Sequence, residues 1–169
     1  MIRLGPQLRG FPRNRDGAAA AEMALVTPLL MALIFGCFEL GNFFWDAHVV
    51  AKATRDGARY ASRRSFDDYA GCAPSSSLVT AVRNVTRTGQ VTGGAPVLRN
   101  WTSPATVTVT VSCAPTGTYR GVYEQLTTMG PPRVTVETAV PYSSLLGDLG
   151  FATTTLTLRA RSQAAVAGL

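Results

Sequence analysis

Between Ala18 and Phe38 the chain runs 21 residues, AAAAEMALVTPLLMALIFGCF, with Glu22 as the only charge. As a helix rising about 1.5 Å per residue, the run spans about 30 Å, the thickness of a bilayer's hydrocarbon core. Arg3, Arg9, Arg13 and Arg15 precede it, opposed only by Asp16. A basic flank of this kind stays in the cytoplasm. Phe43, Phe44 and Trp45 follow the run, where an aromatic belt would lie. The pattern predicts a basic cytoplasmic leader over 1–17 and a transmembrane helix over 18–38. The chain would then cross the cytoplasmic (inner) membrane once, with its C-terminal part outside. A buried helix of a soluble protein usually has a shorter apolar run and lacks the flanking arginines. In the 169 residues the charged fraction is 15%, too low for a disordered charged tail.

Three processing fates cut such a segment in different places. Secretory cleavage needs a small-x-small site beyond the apolar core, and Phe38-Glu39-Leu40 is a poor one. A lipoprotein signal needs a small-residue box ending in cysteine, and Ile34-Phe35-Gly36-Cys37 places a bulky Phe before the Gly. The third fate is a cut on the cytoplasmic side that leaves the helix attached. Glu22 favours it. A carboxylate one turn inside an apolar helix costs roughly 2–3 kcal/mol, and such residues are usually functional and paired. The plainer reading of Glu22 is a side chain near the membrane edge that reaches headgroup water. If the chain is cut after Gly17, however, Ala18 becomes a new ammonium, and Glu22 lies four residues along on the same helix face. The pair could form within one subunit or between neighbours. Gly17 at −1, Glu22 at +5 and Met23 at +6 match a type IV prepilin processing site.

The stretch Asp16–Ser62, DGAAAAEMALVTPLLMALIFGCFELGNFFWDAHVVAKATRDGARYAS, resembles the N-terminal signature of TadE-like minor pseudopilins of Tad (tight adherence) pilus systems. The resemblance is carried by the Ala-rich start with Glu22, the apolar run through Pro28, Phe35-Gly36 followed by Glu39, and the segment Ala53-Thr54-Arg55-Asp56-Gly57-Ala58-Arg59-Tyr60-Ala61. It implies a pilin-like fold, cleavage between Gly17 and Ala18 by a TadV-type prepilin peptidase, and a part in assembling or priming a Flp fibre used in surface adherence. The implied partners are that peptidase, a sister pseudopilin and other Tad assembly components. Met23 stands where major Flp prepilins commonly have Tyr, which suits a minor component. A domain of about 100 residues follows the helix, and the short Flp subunits lack one.

Past the membrane the helical pattern continues over 39–61. Leu40, Phe44, Ala47, Ala51, Thr54, Ala58 and Ala61 recur at alternating steps of four and three, a seam of period 3.5. Lys52, Arg55, Asp56, Arg59 and Arg63 form a second stripe. The seam packs either on the chain's own sheet, slightly the favoured reading, or on a sister pseudopilin. His48 falls on the polar side and reads as solvated. Pro28 removes one backbone bond and should kink the helix, with the Thr27 hydroxyl in partial compensation.

Residues 62–169 form the extracytoplasmic domain, and the fold class is α+β. The pattern predicts a polar loop over 62–77, a short helix over 77–88 ending at Gly89, and a loop over 89–104. Strands are expected over 105–113, 133–140 and 153–161, the last through Leu156 and Leu158, making an antiparallel sheet of three or more strands. Residues 141–151 read as a turn or short helix, and 116–131 as a surface loop for partners. Cys72 and Cys113 lie in an oxidising space, where a bridge is the favoured reading and two free thiols the alternative. Cys37 reads as a small packing residue.

No catalytic constellation is present. The sequence has no GxSxG and no HExxH, and a single His with three Cys makes a multi-ligand metal site a poor expectation. No cofactor is implied. The external arginines are dispersed, which does not suit nucleic acid. Two classes remain: a pilus assembly subunit, or a signal-anchored or lipid-anchored extracytoplasmic binding domain unrelated to pili.

Overall fold

The computed structural model describes residues 15–147 and 156–168, with side chains from Gly17 onward within them. Helix α1 runs Arg15–Ser62. Ala, Leu and Met dominate its first half, and all three pack into a helix at little entropic cost. Pro28 lies inside it and leaves the Ala24 carbonyl without its usual N–H partner. The Thr27 hydroxyl donates to the Met23 carbonyl at 2.6 Å, so its compensation falls on the acceptor next to the freed one. The chain divides into two units, Met1–Phe38 and Glu39–Leu169. In the first, residues 17–38 are exposed throughout, and this stretch of α1 is long and apolar enough to cross a membrane.

The second unit is a three-stranded antiparallel sheet with two helical elements beside it. β1 (Val107–Cys113), β2 (Pro132–Pro141) and β3 (Thr157–Ala165) lie in that spatial order. Alternation sets the faces. Opposite pairs Val109–Val136 and Val111–Val134 continue across to Ser162 and Ala164, and Val140 faces Leu158. Val107, Val134, Val136, Val140 and Leu158 are buried, together with Val50, Ala53, Ala58 and Ala61 of α1. Each fully buried valine contributes on the order of 1.5 kcal/mol. The other face carries Thr108, Thr110, Arg133, Glu137, Arg159 and Arg161, all exposed. At the helix–sheet contact the Thr54 hydroxyl donates to the Val50 carbonyl at 2.7 Å and lies 2.9 Å from the Thr138 hydroxyl. These two buried hydroxyls are thus satisfied.

Helix α2 spans Ser76–Thr88. The Ser75 hydroxyl accepts from the Leu78 amide at 3.2 Å, and Gly89 at φ 73° donates to the Val85 carbonyl at 2.9 Å, so both ends are capped. Leu78 and Val82 are buried, while Val85 is only half-buried.

Several elements differ from the expectation. The segment 62–77 holds a 3-10 stretch, Phe66–Cys72, pinned by buried Tyr69, whose hydroxyl donates to the Ala61 carbonyl. β1 starts at Val107 because Pro104–Thr106 forms a 3-10 turn, with the Ser103 hydroxyl accepting from Ala105. β3 begins at Thr157 and runs on to Ala165. Leu158 is buried and Leu156 is 49% exposed. The expected residues 153–155 of that strand and 148–151 of the preceding turn lie outside the described residues, as does leader segment 1–14. In the loop over 89–104, Trp101 is fully buried and its indole N–H donates to the Thr106 hydroxyl at 2.7 Å. The segment 116–131 is irregular apart from the 3-10 turn Gly121–Tyr123.

Cys72 and Cys113 are bridged, with Cα atoms 6.0 Å apart and a sequence separation of 41. The bridge ties the 3-10 stretch after α1 to the end of β1. Replacing both cysteines by Ser is expected to lower stability by about 4 kcal/mol on the loop-entropy account, readable by denaturant unfolding of the detergent-solubilised chain. α1 and α2 touch where Gly57 leaves no room, since a Cβ there would overlap the Thr86 hydroxyl. That hydroxyl is buried and has no hydrogen-bond partner. Gly57→Ala should therefore cost about 1–3 kcal/mol, and adding Thr86→Ala should recover part of it in the same unfolding measurement.

Candidate functional site

The expected processing segment lies in the first unit. Gly17 and Ala18 sit in the opening turn of α1, and Glu22 follows one turn later. A spacing of four residues puts Ala18 and Glu22 on one helix face, and all three residues are exposed. Among the described residues a Cβ at Gly17 would meet nothing within 4 Å, so their packing does not require glycine there.

In the second unit, Glu39 is the site that sequence periodicity missed. Its carboxylate accepts from the Tyr142 hydroxyl at 2.9 Å and from the Leu145 and Leu146 amides at 3.0 and 3.4 Å. Asn42, one turn on, donates its side-chain amide to the Tyr142 hydroxyl at 3.0 Å and to the Ser143 carbonyl at 3.4 Å. The Phe43 ring meets Tyr142 edge to face, centroids 5.3 Å apart. One turn of α1 thus grips the segment after β2 through a carboxylate, an amide and a ring. Burial pushes the Glu39 pKa up, but polar contacts from Ser144, Tyr142, Leu146 and Leu145 outweigh it and hold the carboxyl below its ordinary value. The Tyr142 hydroxyl is pushed up, first by burial and then by the Glu39 carboxylate beside it. Glu39 stood out only within the quoted motif. Tyr142 lies 103 residues away, and nothing local marks it as a partner.

The seam over 40–61 is only partly covered by the chain itself. Thr54, Ala58 and Ala61 are buried, Ala47 and Ala51 are half-buried, and Leu40 and Phe44 are 54% and 61% exposed. The covered arc is centred instead on Val50, Ala53, Gly57 and Ala61. The reason is geometric: a seam of period 3.5 belongs to supercoiled helices, whereas here a sheet covers a broader arc of one helix. His48 is exposed, and Cys37 is a free, exposed thiol. Among the described residues no three His, Cys, Asp or Glu side chains converge on a metal-sized site.

A family model described as TadE-like protein matches residues 17–59. The helix carries the TadE-like signature. This TadE-like match opens at Gly17 and closes at Arg59, so it covers the processing segment, Glu39 and most of the covered arc of α1, and none of the sheet. Comparison with curated proteins and with solved structures finds no match.

Because the folded chain holds the Glu39 carboxyl below its unfolded pKa, Glu39 adds stability above the ordinary carboxylate pKa of about 4.5, and that contribution is lost as pH falls through the lower folded value. Glu39→Gln is expected to lower stability at neutral pH by on the order of 1 kcal/mol. It should also flatten the acid limb of a stability-versus-pH curve measured by denaturant unfolding.

Proposed function

We propose that this chain is a minor pseudopilin of a Tad/Flp pilus system, cut between Gly17 and Ala18 by a prepilin peptidase and retained through its apolar helix. The TadE-like family is associated with Tad pili, and the long apolar helix is consistent with a single-pass membrane anchor. The observation that carries the proposal is the frame of the match. It starts at the glycine of the prepilin pattern, with Glu22 exposed one turn along the same face as Ala18. Glycine at 17 has no packing reason among the described residues, and recognition by a peptidase supplies one.

After the cut, the Ala18 ammonium and the Glu22 carboxylate can pair within one helix or between neighbouring helices. In a low-dielectric medium such a pair offsets the cost of holding the acid there. The basic leader stays in the cytoplasm, and the disulfide-bridged sheet domain lies outside. The role is structural: the chain takes part in assembly or priming of the fibre with a sister pseudopilin and other Tad components, and carries no chemistry of its own. The anchored binding domain unrelated to pili is favoured by no observation on these residues.

Mass spectrometry of the membrane-extracted protein should find Ala18 at the N-terminus. An N-terminus at Met1, or one beyond Cys37, would sink the proposal. Glu22→Ala should leave that N-terminus largely unchanged while reducing surface pili counted by electron microscopy. Normal piliation in that variant would show that the carboxylate is not needed.

A further inference from the structure

Seven residues beyond Glu39, toward the same side of α1, Asp46 lacks the reception that Glu39 enjoys. It lines a cavity of about 630 Å³ whose walls include Asn42, Trp45, Arg99, Ser143 and Leu145. Burial raises the Asp46 carboxyl above its ordinary pKa. The ion pairs of the described residues are Arg64–Asp68 and Arg161–Glu137, so neither Arg99 nor any other described cation is paired with Asp46. A partly buried carboxylate with no partner is costly, and a cation placed beside it offsets that cost. The walls mix polar Asn42, Asn100 and Ser143 with exposed apolar side chains: Trp45 is 68%, Leu145 54% and Val97 44% exposed. An acid in no ion pair among the described residues, edged by exposed apolar side chains, suits a long basic side chain, whose stem covers those side chains while its head meets the carboxylate.

Such a side chain stands six residues further along the same helix. Lys52 is exposed, in no ion pair among the described residues, and the only lysine in the chain. Six residues turn the helix by about 240°, so Lys52 points away from the Asp46 of its own chain. Two copies anchored in one membrane have parallel helices. Six residues separate the two levels by about 9 Å, and helical side chains lean toward the N-terminus. A lysine stem therefore descends most of that distance, and the two copies need little stagger. We propose that Lys52 of a second copy enters the cavity and pairs with Asp46. The contact joins two different patches, so each copy offers one of each, and the copies associate head to tail, as a ring or a row according to the rotation between them. It rests on the parallel membrane anchoring proposed above, and does not depend on cleavage at Gly17.

A water-soluble carbodiimide joins a carboxylate to an amine that already touches it, and Lys52 is the one side-chain amine available. Full-length protein in native membranes should give a covalent dimer whose peptide map carries an Asp46–Lys52 amide. Coupling of Lys52 to Asp56, four residues away on the same helix, stays within one chain and keeps monomer mass. Asp46→Asn should reduce the dimer at least about ten-fold. An intact Cys72–Cys113 bridge in that variant, seen as unchanged non-reducing mobility, shows that the domain has folded. No dimer from the native sequence, a dimer linked through any other carboxylate, or an unchanged yield in Asp46→Asn overturns the proposal. The same coupling should appear in cells lacking the prepilin peptidase. Loss of the dimer with Ala18 still at the N-terminus therefore refutes this contact alone, and a dimer of chains that still begin at Met1 in cells holding the peptidase refutes only the processing.

Discussion

The sheet has one apolar face and one helix broad enough to bury it against. A sheet with one apolar face must bury it against another element, and the valines of β1 and β2 find their cover on the arc of α1 centred on Val50, Ala53, Gly57 and Ala61. Small residues there let strand side chains and α2 come close, and Gly57 beneath Thr86 is the tightest such point. The bridge from Cys72 to Cys113 and the Ser75 cap of α2 refine an arrangement that this burial already requires.

Two carboxylates on α1 show how local surroundings divide residues of similar chemistry. Glu39 accepts a hydroxyl and two backbone amides, and is held ionised as a fastener between α1 and the segment after β2. Asp46, two turns later, lines a cavity and is in no ion pair among the described residues. A satisfied buried acid stabilises its own fold, whereas an unsatisfied one stabilises whatever cation reaches it. The first therefore serves the chain's own architecture, and the second is free to serve association.

The apolar half of α1 follows different physics. From Gly17 to Phe38 every residue is exposed, so the chain itself supplies no cover for that surface. Apart from the Ala24 carbonyl that Pro28 frees, its backbone is paired inside the helix, the condition a segment must meet to lie in hydrocarbon. Glu22 is the exception in side-chain polarity. Its position relative to Gly17 and Ala18 is a matter of covalent spacing and helical pitch, and both are written in the order of residues.

That division explains what could be read before any coordinates. The apolar run, the extension of α1 to Ser62, the α2 caps and the alternation in β1 and β2 are periodic or punctuated signals carried by neighbouring residues. The motif from Gly17 to Arg59 is of the same kind. Where the local pattern was weakest, the register moved: β3 lies four residues later than its alternation suggested, because pairing of Leu158 with Val140 and Ala164 with Val134 selects the frame. The arc of α1 that is covered, the grip of Tyr142 on Glu39 and the setting of Asp46 depend on residues about fifty to a hundred positions away. Local order along the chain fixed the anchor, the processing pattern and the element types, since these need only helical pitch and strand alternation. Which face is buried, and which acid has no ion pair among the described residues, was decided only when the sheet closed over the helix.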